Sequence, residues 1–280
     1  MDLAMSLSDK GATLDGILAE MGHVVVAFSG GADSAFLAAR ATRLLGADRV
    51  TCVTAVSASL AEGEAADCRA LADEWSLSWM PVETRETERP AYIANAGDRC
   101  FHCKDELMDV LAPIAARHVA TIVLGVNVDD LGDHRPGQQA AEAKGARFPM
   151  VEAGLTKSDV RELSRDMGLR TWDKPAAACL ASRVPYGTPV TVGLLGRIDR
   201  AEAALRQVLA DAGAAPGNLR VRHMDDTVRI EIDPALFAVV ATHHRRIVDA
   251  LEAVGYRYVT LDLAGFRSGN LNWALQPDSP

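Results

Sequence analysis

From residue 23 to about 127 the chain alternates short β-branched runs with stretches of helical length, an order that few folds accommodate. His23–Phe28, Val50–Ser57, Leu77–Glu83 and Thr121–Asn127 read as strands, and Ala32–Leu45, Ala61–Trp75 and Lys104–His118 as the helices between them. The strands are nearly all apolar, Val24-Val25-Val26-Ala27-Phe28 most clearly, and a strand without polar alternation is one buried on both faces. Such strands separated by helices predict a doubly wound α/β fold, a parallel sheet covered on both sides, whose ligands gather at the carboxyl ends of the strands.

Residues 128–190 break this pattern. They are rich in Gly, Pro and Asp, with one clear helix at Lys157–Met167 that Thr156 is placed to cap, and read as loops that build a site. After Pro189 the order is helix (Gly193–Ala212), strand (Leu219–His223), strand (Val228–Ile232), helix (Pro234–Val254), strand (Tyr256–Leu263). That order predicts a smaller C-terminal α+β domain with its helices on one face of an antiparallel or mixed sheet. The linker is expected near 184–192, dividing the chain into domains over 1–186 and 187–280.

Composition removes several classes of function. At 280 residues, with 49% hydrophobic and 24% charged residues, the chain can bury a substantial core and is not disordered. A net charge of −9 argues against gripping nucleic acid, which needs clustered Lys and Arg. No apolar run approaches the ~18 residues needed to span a bilayer. Residues 1–20 carry Asp2, Asp9, Lys10, Asp15 and Glu20 and do not resemble a signal peptide. The expected location is the cytoplasm, where thiols stay reduced and paired cysteines point to metal or catalysis before disulfides. Five cysteines are in any case too few for a disulfide-stapled fold.

The first chemical signal is Phe28-Ser29-Gly30-Gly31-Ala32-Asp33-Ser34, directly after the first strand and opening the first helix. Backbone N–H groups of a Gly-rich turn and of a helix N-terminus converge there into an anion cradle. Ser29 and Ser34 add hydroxyls, and Asp33 places a hard carboxylate where a phosphate-bound Mg²⁺ needs a ligand. No Gly-Lys-Ser/Thr follows, and the dinucleotide G-x-G-x-x-G spacing is absent. The loop resembles the SGGxDS loop of the PP-loop ATP pyrophosphatases. That resemblance implies that the loop holds the pyrophosphate of ATP while a substrate oxygen attacks the α-phosphorus.

The second signal is the C-x2-C pair Cys100 and Cys103, and the third is Cys179 within Ala178-Cys179-Leu180-Ala181-Ser182-Arg183. The pair can be half a zinc site completed by Cys179 and His102, a redox dithiol, or two ligands of an iron–sulfur cluster. Three thiolates suit a [4Fe–4S] cluster with one iron left open. Cys52, inside a strand, and Cys68, among alanines in a helix, read as core residues.

Taken together, several motifs strongly resemble the LarE-type sulfur transferases over nearly the whole chain. They are the Gly-rich loop, Asp98-Arg99-Cys100-Phe101-His102-Cys103-Lys104, Gly125-Val126-Asn127-Val128-Asp129-Asp130 with Asp133-His134-Arg135-Pro136-Gly137, Cys179-Leu180-Ala181-Ser182-Arg183-Val184-Pro185-Tyr186-Gly187, and Gly265-Phe266-Arg267-Ser268-Gly269-Asn270-Leu271-Asn272. The resemblance implies an enzyme that builds the nickel-pincer cofactor of lactate racemase. It would adenylate a carboxylate of pyridinium-3,5-biscarboxylic acid mononucleotide with ATP and Mg²⁺ and convert it to a thiocarboxylate. In one branch of the family a cysteine at the position of Cys179 surrenders its own sulfur. In the other, three cysteines hold a [4Fe–4S] cluster whose open iron carries the sulfide. Cys100, Cys103 and Cys179 place this chain in the cluster-bearing branch.

On this reading Ser29, Gly30, Gly31, Asp33, Ser34, Lys104, Asn127 and Asp129 contact the nucleotide, with Asp33 and the three cysteines catalytic. Asn127, Asp129 and Asp130 end the fourth strand, although Asn-x-Asp-Asp is also a common turn composition. Arg183 would attract an anionic substrate. Arg220 and Arg222 alternate along one strand and face the same way, as a phosphate clamp or as an ordinary solvated strand surface. Glu231, on the neighbouring strand, pairs with those arginines or joins a subunit-interface metal site. His243-His244-Arg245-Arg246 reads as a solvated helix face. The expected partner is a small-molecule nucleotide, with no nucleic acid and no membrane, and the chain is expected to form a homo-oligomer. Two other PP-loop enzymes compete: an amidating synthetase, for which no glutaminase-sized domain is visible, and a tRNA thiolase, which the −9 charge disfavours.

Overall fold

The computed structural model describes residues 5–132, 136–175 and 177–267. Asp133, His134 and Arg135, and the run Ser268 to Asn272, lie outside the described residues. The chain divides into two units: residues 1–86 with 100–177, and residues 87–99 with 178–280.

In chain order the first unit opens with α1 (Leu7–Met21), β1 (Val24–Ala27), α2 (Ala32–Leu45), β2 (Val50–Val56), α3 (Glu62–Glu74) and β3 (Trp79–Glu83). The chain then passes through α4 (Pro90–Ile93), in the second unit, into α5 (Arg99–His118). The first unit closes with β4 (Thr121–Leu124), α6 (Pro136–Ala143), α7 (Pro149–Glu152) and α8 (Lys157–Asp166). All four strands pair in parallel in the order β3-β2-β1-β4. Val24 and Val26 enter one buried cluster with α1, α2 and α3, whereas Val25 enters another with Leu107, Met108 and Leu111 of α5. Helices therefore cover both faces, and the unbroken valine run is the direct consequence.

Most expected elements are present, with instructive shifts. α2 begins and ends where the sequence places it, and α8 has the Thr156 cap as a full capping box, Thr156 Oγ1 accepting from the Asp159 N–H while Asp159 accepts from the Thr156 N–H. α5 starts at Arg99, not Lys104, so Cys100 and Cys103 ride on its first two turns. The stretch expected to be loops around one helix also holds α6 and α7. α1 precedes the first expected strand and adds a helix to the expected elements, and Ser6 and Asp9 cap it reciprocally.

The second unit continues with α9 (Val192–Asp211), β5 (Leu219–Met224), β6 (Thr227–Ile232), α10 (Phe237–Thr242), α11 (His244–Ala253) and β7 (Tyr258–Leu261). β5 and β6 are antiparallel and β6 and β7 parallel, so the sheet is mixed. The single helix expected over 234–254 is interrupted at His243, which divides α10 from α11. Residues 187 and 190 bond back to the chain near α4, Gly187 N–H to the Asn95 carbonyl at 3.1 Å and Val190 N–H to the Ile93 carbonyl at 2.9 Å. Among the described residues no helix is long and apolar enough to cross a membrane.

The polar interior of this unit corrects the solvated-strand alternative. Arg220 and Arg222 are 5% and 3% exposed. The Arg222 guanidinium pairs with Glu231, itself 0% exposed, at 3.0 Å, and Arg229 pairs with the other Glu231 oxygen at 3.0 Å. Removing one member of a buried pair strands the other charge, a loss of about 3–5 kcal/mol. Glu231→Ala is therefore expected to lower the unfolding free energy of the chain by that amount in a urea titration, and an unchanged midpoint would show that the pair is not buried in solution.

Candidate functional site

The strand order fixes where a ligand can enter. Successive strands run outward from β1 through β2 to β3, and then the chain returns to place β4 on the other side of β1. Neighbouring connections leave β1 and β4 in opposite directions, and a crevice opens beyond their carboxyl ends. Ser29–Ser34 follows β1 there, and Gly125–Asp130 follows β4.

The loop after β1 is anchored before it turns. Thr54 Oγ1 donates to the Phe28 carbonyl at 2.7 Å and accepts from Trp79 Nε1 at 2.8 Å, tying three strands to the loop's first residue. Gly30 adopts φ +68°, and a Cβ there would fall 2.8 Å from Cys68 Sγ, so glycine is required by both backbone and space. Ser34 Oγ accepts from the Ser29 N–H at 3.2 Å and lies 3.0 Å from Ser29 Oγ. The two serines thus close the loop upon itself, and α2 begins at Ala32 with Gly31 as its cap residue.

β4 delivers the opposing wall at close range. A Cβ on Gly125 would lie 2.7 Å from the Ser34 backbone, so only glycine lets the strand pass the first turn of α2. Two residues on, Asn127 is fully buried, and its amide donates to Asp33 at 3.2 Å. Its carbonyl oxygen Oδ1 accepts from the Asp129 N–H at 3.0 Å, and its own N–H donates to Asp130 at 3.2 Å. Asp129 in turn accepts from the Lys157 N–H at the start of α8, at 2.7 Å. The Asn-x-Asp-Asp turn is thus a turn and also a contact to the loop.

Asp33 has its pKa raised. Burial is the main cause, against which the Asn127 hydrogen bond acts; the Asp130 charge adds to the rise, and Lys157 and Arg161 oppose it. Folding therefore disfavours its ionised form. The folded chain binds more protons than the unfolded one between the ordinary value of 3.8 and the raised value, so stability falls as pH rises through that window. Asp33→Asn is expected to raise the melting temperature at neutral pH without ligand, with the gain vanishing below pH 3.8. A variant that melts lower at pH 7 would contradict this.

The cysteines sort by exposure. Cys52 and Cys68 are buried core residues, and burial raises the Cys52 thiol to about 12. Cys100 is exposed and Cys103 half-buried, at i, i+3 on α5 and therefore on one face of it. Gly137 of α6 packs on this turn, where a Cβ would fall 2.9 Å from the Cys100 carbonyl oxygen and 2.8 Å from Lys104 Cγ. Cys179 is exposed in the second unit. Among the described residues no three His, Cys, Asp or Glu side chains group as a metal site.

Around Cys179 the arginines assigned to substrate have internal partners. Arg183 is held by Glu202 at 2.8 Å and donates to the carbonyls of Ala178 at 2.6 Å and Cys179 at 3.2 Å. Arg99 donates to the Ala181 carbonyl at 2.8 Å, and Arg222 donates to that of Ser182. The Arg220 guanidinium lies 4.5 Å from the Phe266 ring centroid. Burial lowers the pKa of Arg220 to about 10, with the charges of Arg183 and Arg222 adding to the effect.

Two residues escaped the sequence reading. Glu202 lies on the apolar stripe Leu195, Ile198, Ala201, Leu205 of α9, and a lone carboxylate in such a stripe is a signal that a cation waits opposite. Lys174 bonds to the Gly30 carbonyl at 3.1 Å, and nothing in its local sequence marks it.

No family model matches the chain. It is 40% identical over 272 residues, 96% of this chain and 99% of the relative, to an uncharacterized protein of Synechocystis sp.. It is 35% identical over 268 residues, 95% of each chain, to the pyridinium-3,5-bisthiocarboxylic acid mononucleotide synthase of Lactiplantibacillus plantarum. An uncharacterized protein of Methanocaldococcus jannaschii is 23% identical over 88% of this chain and 91% of its own.

Proposed function

The chain belongs to the LarE-type sulfur transferases, the enzyme family of the pyridinium-3,5-bisthiocarboxylic acid mononucleotide synthase, and on that premise we propose that it converts a carboxylate of a pyridinium mononucleotide to a thiocarboxylate at the expense of ATP. The observation that carries the ATP half is the meeting of the Ser29–Ser34 loop with buried Asn127 around a half-buried Asp33.

The first step uses the loop as a PP-loop. N–H groups of Gly31, Ala32 and Asp33 take the β- and γ-phosphates at the start of α2, where the helix dipole favours negative charge. Asp33, oriented by Asn127, is the ligand for Mg²⁺, and the hard carboxylate fits that ion. A substrate carboxylate oxygen bonds to the α-phosphorus as the bond to pyrophosphate breaks, leaving an acyl adenylate. In the second step sulfide adds to the acyl carbon and AMP departs, which leaves the thiocarboxylate.

Cys100, Cys103 and Cys179 would hold a [4Fe–4S] cluster, which supplies the sulfide when bound. Exposed Cys100 and half-buried Cys103 on one helix face fit a chelating role, and buried Cys52 and Cys68 do not. Arg183, Arg99 and Arg222 fix the carbonyls around Cys179 and so present its thiol from a set backbone. Arg183, Arg220 and Arg222 also set a positive potential around the substrate's phosphate and carboxylates, and Lys104 does the same for the nucleotide.

Incubation with ATP, Mg²⁺ and pyridinium-3,5-biscarboxylic acid mononucleotide is expected to release AMP and pyrophosphate. Asp33→Ala should cut that release roughly 10²-fold or more, the scale of removing one electrostatic stabiliser. After anaerobic reconstitution with iron and sulfide, the wild type should show cluster absorbance and an EPR signal that Cys179→Ala alters. A wild type without a cluster, whose mass falls by one sulfur during turnover, would assign the sulfur to Cys179 itself. Absence of pyrophosphate, cluster and sulfur loss together would overturn both routes.

A further inference from the structure

We propose that Lys174 is a positioning residue for nucleotide binding, which holds the Gly30 carbonyl and thereby turns the Gly31 N–H into the phosphate cradle. The inference rests on the ATP chemistry proposed above. Lys174 follows α8, where its N–H closes a turn on the Thr171 carbonyl at 3.1 Å. Its side chain is 17% exposed and makes three hydrogen bonds, to Asp67 at 2.7 Å, Glu64 at 2.8 Å and the Gly30 carbonyl at 3.1 Å. An ammonium has three donors, and all are used. Glu64 and Asp67 stand at i, i+3 on one face of α3 and fix the ammonium from behind, so its third bond is aimed at one carbonyl of the loop.

The peptide unit joining Gly30 to Gly31 is planar and trans, so its C=O and N–H point in opposite directions. Fixing the carbonyl towards Lys174 fixes the Gly31 N–H on the far side. The N–H groups of Gly31, Ala32 and Asp33 have no acceptor among the described residues, as expected of a helix start that awaits an anion. Between two glycines this peptide is the loop's softest link, since no Cβ on either side resists its rotation. A flipped unit would withdraw one donor and aim a carbonyl oxygen at the phosphates. Lys174 stays charged throughout: burial works against its charge, but Asp67 and Glu64 outweigh burial and hold its pKa above the ordinary lysine range.

The test is calorimetric titration of the full chain with ATP and, separately, pyrophosphate, each with Mg²⁺. It needs neither the pyridinium substrate nor a cluster. Lys174→Met is expected to weaken both ligands about tenfold or more, the scale of a charge-assisted hydrogen bond, and in turnover the loss should fall on KM for ATP and not on kcat. Lys174→Arg, which can reach both acids and the carbonyl, should recover most of the affinity. Combining Lys174→Met with Glu64→Gln and Asp67→Asn removes the acids as well; affinity should stay low. Recovery in that triple variant would overturn the proposal, because Lys174 would then only neutralise the acids, and wild-type affinity in Lys174→Met would overturn it directly. Should Lys174→Met not fold, Lys174→Gln carries the same expectations. A wild type that binds ATP but releases no pyrophosphate with the pyridinium substrate would remove the proposed function and leave this role standing.

Discussion

The position of β1 governs the rest of the first unit. It is paired along both edges, to β2 and β4, and covered on both faces, so its backbone groups are bonded within the sheet and its side chains are all apolar. A strand so enclosed can deliver polar groups only from its end. The connections beside that end diverge, and the space they leave is where Ser29–Ser34 and Gly125–Asp130 meet. Two glycines, Gly30 and Gly125, are the steric conditions of that meeting, since each stands where a Cβ would overlap a neighbour.

In the second unit charge is turned inward. Glu202 and Glu231 hold Arg183 and Arg222 in a low-dielectric interior, and each guanidinium group also donates to a carbonyl of the Cys179 turn. Buried ion pairs are a poor source of stability, because desolvation offsets most of their attraction. Their benefit here is a backbone whose carbonyls are fixed before any ligand arrives.

What the sequence discloses follows from how local the cause is. β1, β2, β4 and α2 are legible because burial writes itself into residue type, and Gly31 and Gly46 bracket the helix. The start of α5 is less so: Cys100, Phe101 and His102 are weak helix formers, and the neighbour packed on that turn is Gly137 of α6, far along the chain. His243 breaks the helix at 234–254 without any proline or glycine to announce it. In the site, the Gly-rich loop, Asn127 and the cysteines carry type and spacing that point to chemistry. Glu202 could be found from its place in an apolar stripe. Lys174 could not, since its partners lie more than a hundred residues earlier in the chain.

The distribution of thiols makes the fold a protecting group. One chain carries five sulfur nucleophiles, and folding withdraws Cys52 and Cys68 into the packed clusters around β1 while leaving Cys100, Cys103 and Cys179 within reach of solvent. Cys68 is the sharper case, because its sulfur fills the space beneath Gly30. A thiol there can take on neither iron nor an oxidant's oxygen without lifting the Gly-rich loop above it. Selectivity among chemically identical side chains is thus a matter of depth, and the chain can handle sulfur at its surface only while its interior keeps two other sulfurs out of the reaction.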